Sequence, residues 1–125
     1  MIPAIIAELD AADTGFVTVD HALDMEPVEN LSADVPAIYV LEGVSKGLDE
    51  DGDSCVDQAE VRSVVSFIVC KWADLEGLRN QAKSVLRGFQ FKPEQRPLKF
   101  ASSRTVQIKG EYIWREDVYT TVDYS

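Results

Sequence analysis

Apolar residues at the start of the chain recur with the period of a helix. Ile2, Ile5, Ile6 and Leu9 share one face over residues 2–12, and Pro3 is tolerated in a first turn. Asp13-Thr14-Gly15 ends that helix, and Phe16-Val17-Thr18-Val19 is short and β-branched, which predicts a strand. Residues 20–35 are acidic, aperiodic and interrupted by Pro27, so they read as loop. The apolar run Pro36-Ala37-Ile38-Tyr39-Val40-Leu41, closed by Gly43, suits a buried strand. Gly43–Asp57 is dense in Gly, Ser and Asp and reads as a loop too long for a simple hairpin turn.

The pattern over residues 59–72 admits two periods. Val61, Val64, Val65, Ile68, Val69 and Trp72 make a helical stripe, whereas Val61, Val65, Phe67 and Val69 make one face of a strand. β-Branched side chains lose rotamer freedom in a helix. The valine content therefore favours a strand, paired with residues 36–41 across one loop. Residues 74–88 form the clearest helix: Asp74 is a candidate cap, Leu75, Leu78, Ala82, Val85 and Leu86 make the stripe, and Gly88 suits a left-handed end. After Pro93 and Pro97, residues 98–108 and 111–124 alternate loosely and predict a hairpin turning near Gly110. The class is α+β: a single domain over residues 1–125, with a largely antiparallel mixed sheet packed with an N-terminal helix and one central amphipathic helix.

Composition narrows the picture. With 46% hydrophobic residues in 125, the chain can bury a core. No apolar stretch reaches the ~18 residues of a membrane span. MIPAIIAELD lacks the basic flank of a secretory signal, so assembly in a cytosol is expected, with Cys55 and Cys70 as reduced thiols. There is no CxxC, and His21 is the only histidine, which removes the usual zinc sites. The net charge of −10 is unevenly placed. Residues 1–60 carry 15 acids and Lys46 as the one base (−14), while residues 61–125 carry 7 acids and 11 bases (+4). This balance disfavours wide contact with a nucleic-acid backbone and suits a charged partner or copies of the same chain; a plain solvated surface explains it equally.

The most motif-like segment is Asp49-Glu50-Asp51-Gly52-Asp53-Ser54-Cys55-Val56-Asp57-Gln58-Ala59-Glu60. Asp49, Asp51, Asp53, Asp57 and Glu60 fall at ligand positions of an EF-hand calcium loop. Ser54 replaces the turn-making glycine, no complete second loop exists, and a helix must follow Glu60 against its valine content. A solvated acidic loop is the expectation, without tight Ca²⁺ binding. Arg79, Lys83 and Arg87 stand four apart on the outer face of the central helix; they are either solvated or a partner surface. Against them Asp49, Asp51 and Asp53 are the candidate opposite charges, with Glu42 and Glu60 flanking. Catalysis has little to stand on: no GxSxG elbow, no phosphate-cradling glycine loop and no distinguished carboxylate pair. Trp72 and Trp114 read as core or interface anchors. The expectation is a protein that is not an enzyme.

The order of these features carries a resemblance. A proline-led strand (Pro36-Ala37-Ile38-Tyr39-Val40), a Gly/Asp-rich loop, Gln58-Ala59-Glu60 opening a strand, the helix at 74–88 and a closing strand with Trp114-Arg115-Glu116-Asp117-Val118-Tyr119 follow one another. Over residues 36–125 this resembles the tail terminator proteins of long-tailed bacteriophages, the lambda type in particular. The resemblance implies a virion protein whose six copies close into a ring on the head-proximal end of the tail tube. It implies as partners the tube protein, the head or neck connector, and the sheath protein where the tail contracts, with genomic DNA passing through unbound. It implies no cofactor, although some members need Mg²⁺ for ring closure. A head-completion or neck connector protein and a calcium-binding module are the alternatives.

Overall fold

The computed structural model describes residues 1–12, 14–22, 35–43, 46–48, 59–93 and 95–123. Two helices, α1 (Ile2–Ala11) and α2 (Leu75–Leu86), lie on one face of a six-stranded sheet. Its strands are β1 (Thr18–His21), β2 (Ala37–Glu42), β3 (Lys46–Leu48), β4 (Ala59–Lys71), β5 (Lys99–Lys109) and β6 (Tyr112–Asp123). They run in the order β1-β2-β4-β6-β5, with β3 also on β4. Among the described residues only β1 and β2 pair in parallel; the other pairs are antiparallel. The architecture is the α+β single domain that the hydrophobic pattern predicts.

The valine-rich segment is a strand, and its two-residue period decides what is buried. Val64, Ser66, Ile68 and Cys70 point to the helices, and register sets Tyr119 opposite Val64, Ile38 opposite Ile68 and Ile113 opposite Cys70. Ile5 and Leu9 of α1 and Leu78, Ala82 and Leu86 of α2 close this core. Each fully buried Ile or Leu contributes roughly 1.5–3 kcal/mol by leaving water. The opposite sheet face carries a smaller cluster of Val35, Ala37, Tyr39 and Val69, with Phe67, Tyr112 and Trp114 half-buried against it.

Four local expectations are corrected. The first strand begins at Thr18, so His21 ends a strand and does not sit in a loop. Asp74 occupies the N-cap position of α2, but its carboxylate makes no capping hydrogen bond, because a 3₁₀ turn over Trp72–Asp74 leads into the helix. Trp72 in that turn is exposed, not a core residue, whereas Trp114 is half-buried. Within the stretch read as loop, Lys46–Leu48 pairs with Ala59–Val61, which extends a hairpin to residues 48 and 59. The backbone gains those ladder bonds regardless of the acidic side chains that follow.

Gly88 and Gly110 have φ of 86° and 59°. Gly110 turns the β5–β6 hairpin between the paired residues Lys109 and Tyr112. Gly88 follows the last turn of α2 and donates its N–H to the Leu98 carbonyl at 2.8 Å. A Cβ at Gly88 would meet nothing within 4 Å, so only the left-handed backbone resists substitution. Gly88→Ala is therefore expected to cost about 1–2 kcal/mol in urea unfolding; a change below about 0.3 kcal/mol would show that the turn tolerates a side chain.

Candidate interface site

Asp117 stands on the helix-covered face of β6, beside Ser66 of β4 and Ser103 of β5. Its side chain is 1% exposed. A carboxylate at that depth requires a counter-charge. Arg79 of α2 supplies it as a fork: Nε donates to Oδ2 and Nη2 to Oδ1, each at 3.0 Å. The same Nη2 donates to Ser103 Oγ at 3.2 Å. α2 is thus tied to the hairpin by charge as well as by its apolar stripe.

A second guanidinium converges on the same hydroxyl. Arg115 Nε donates to Ser103 Oγ and Nη1 to Thr105 Oγ1, both at 2.7 Å. Among the described residues no carboxylate pairs with Arg115. One turn along α2 from Arg79, Lys83 Nζ lies 4.2 Å from the centre of the Phe100 ring, a cation–π contact. Phe100 meets Tyr119 edge-on, with ring centres 5.8 Å apart. The Tyr119 hydroxyl is buried without a hydrogen-bond partner among the described residues. Burial above all, then the Asp117 carboxylate, pushes its phenol well up, against a smaller pull down from Arg79 and Arg87. Arg87 itself is exposed beyond the last turn of α2.

The basic row read from the sequence is therefore not one uniform outer face. Arg79 is only 18% exposed and is engaged with Asp117, Lys83 lies over an aromatic ring, and Arg87 alone is open to solvent. Sequence reasoning missed Arg115, Asp117 and Ser103. Strand period carried the signal: Ile113, Arg115, Asp117 and Tyr119 alternate onto one face, so charges share a side with a buried Ile and Tyr.

Of the acidic candidates, Asp49, Asp51, Asp53 and Asp57 lie outside the described residues. Glu60 belongs to β4, in register with Gly47 and Asp123. The segment after it is a strand, so the exit helix of an EF-hand is not there. Among the described residues no three His, Cys, Asp or Glu side chains converge as metal ligands, and no helix is long and apolar enough to cross a membrane.

Residues 1–124 match the model of a family described as phage tail terminator protein, which extends the likeness to the N-terminal helix. Among curated proteins nothing matches the chain. Among solved structures, a chain from the virion of a native gene transfer agent particle shares the fold. The TM-score is 0.57 at 14% identity, over 98% of this chain and 86% of that one.

Proposed function

The chain belongs to the phage tail terminator family, and from that premise we propose that it is one subunit of a homohexameric ring capping the head-proximal end of the tail tube. There it stops tube polymerisation and offers the surface to which the head or neck connector joins. The observation that carries this reading is the family match across residues 1–124 of a structural tail protein. Its partners are then further copies of itself, the tube protein, the connector, and the sheath protein if the tail contracts. Heterologous contacts between unlike patches close a ring only at a fixed copy number, and a chain of net charge −10 does not hold passing DNA.

Magnesium enters this reading only through the family. The acids that would hold it, Asp49 to Asp57, lie outside the described residues, so no step here depends on a metal.

Tail length tests the function. A phage lacking this protein should accumulate headless tails with tubes of uncontrolled length, and the purified protein added during assembly should restore uniform tails that join heads. Micrographs of capped ends should show a six-fold ring. Tails of normal length that join heads in its absence would sink the reading.

A further inference from the structure

The geometry points to a second copy of this chain as the occupant of the basic strip formed by Lys83, Arg87 and Arg115, received through its acidic N-terminal half. This deepens the ring reading and rests on it.

Three observations converge. First, the strip holds more positive charge than the subunit neutralises. Asp117 is taken up by the Arg79 fork, Lys83 lies over the Phe100 ring and Arg115 is held by two hydroxyls, and among the described residues no carboxylate pairs with Lys83, Arg87 or Arg115. Second, Arg115 is pre-positioned. Ser103 and Thr105 hold its guanidinium from the edge strand β5, so a docking carboxylate does not have to order a long, mobile side chain. Third, the strip has an apolar flank. Ile108 lies on the same face of β5 as Thr105 and is 61% exposed, and Val106, in the register shift that follows Thr105, is 48% exposed. An arginine bordered by apolar surface is the composition of a contact that carries binding energy.

The sign of the occupant follows from charge. Residues 1–60 sum to −14 while the half bearing the strip sums to +4. A surface that meets an unlike surface of its own copy makes a head-to-tail contact, the kind that closes rings. A phosphate backbone would have to approach a chain of net charge −10, which opposes it.

Sedimentation equilibrium of the full chain, at salt of about 50 mM and about 500 mM, tests this. Self-association is expected to weaken about tenfold or more at high salt. Arg115→Gln with Lys83→Gln should weaken it about tenfold at low salt and flatten the salt dependence. Asp51→Lys with Asp53→Lys should do the same, and mixing these two variants should not restore a full ring, because each lacks one pole. Arg115→Lys keeps the charge and, with circular dichroism of every variant, separates a lost contact from a lost fold. Wild-type protein that stays monomeric at low salt, or variants that associate as the wild type does, overturns the contact. Binding of a short DNA duplex that depends on Arg115, with no self-association, also overturns it by making phosphate the occupant. Tail length in a complemented lysate judges the ring reading separately, so rings that form with the strip neutralised leave that reading standing.

Discussion

Arg79→Met is expected to destabilise the subunit by about 3–5 kcal/mol, a large share of the 5–15 kcal/mol that typically holds a domain together. The reason is the depth of the partner. With the guanidinium gone, the Asp117 carboxylate stays at 1% exposure and loses both 3.0 Å hydrogen bonds, while Arg115 is held on Ser103 and Thr105 and makes no hydrogen bond to it. The reverse change is milder. Asp117→Asn leaves Arg79 charged, but Arg79 is 18% exposed and keeps Ser103, so about 1–3 kcal/mol is expected. The asymmetry between the two single variants distinguishes a buried pair from a surface one, where both would change stability by less than about 0.5 kcal/mol. Replacing both, as Arg79→Met with Asp117→Leu, should return to within about 1–2 kcal/mol of the wild type, because no charge is then stranded. Urea unfolding of the four proteins closes a double-mutant cycle. Single variants as stable as the wild type would show that α2 is held by its apolar stripe alone.

That pair also marks where the sequence stops being legible. The elements were readable because each has one strong period: Ile2, Ile5 and Leu9 for α1, Leu75, Leu78, Ala82 and Leu86 for α2, and β-branched Val64, Val65, Ile68 and Val69 for β4. β4 pairs with β2 as expected, although the stretch between them holds a strand of its own, Lys46–Leu48. What failed depends on three-dimensional neighbours. Helical spacing gives Arg79, Lys83 and Arg87 one face, but it cannot say that β6 brings a buried carboxylate under the first of them. Nor does the acidity of residues 49–57 indicate that Lys46–Leu48 pairs with Ala59–Val61, since ladder bonds come from the backbone. Trp72 reads by residue type as a core or an interface anchor, and its exposure in the 3₁₀ turn removes the core reading alone. Asp74 has the right type and position for a cap and makes none, because the preceding 3₁₀ turn leaves it in a helical backbone conformation.

Raising the pH through 9 to 11 is expected to remove about 2–3 kcal/mol of stability through Cys70 alone, and more above pH 10 through Tyr119. Cys70 is fully buried beneath the helices. Burial first, and the Asp74 carboxylate second, push its thiol up from 9.0 to about 11. Tyr119 is pushed up in the same direction from 10.0, by burial and then by Asp117. Both groups therefore hold their protons more firmly in the folded chain than in the unfolded one. Their contribution is fully present below the unfolded values of 9.0 and 10.0, and is lost as pH rises through the folded ones. Two pH units at about 1.36 kcal/mol each set the size for Cys70. Denaturant unfolding at intervals from neutral pH upward should show this fall, and Cys70→Ala should abolish the part between pH 9 and 10 and lessen it between pH 10 and 11. Tyr119→Phe should remove the part above pH 10 at little loss near neutrality, because the hydroxyl it deletes has no partner among the described residues. If the double variant loses stability with pH as steeply as the wild type, these two groups are not what the alkaline limit of the fold reports.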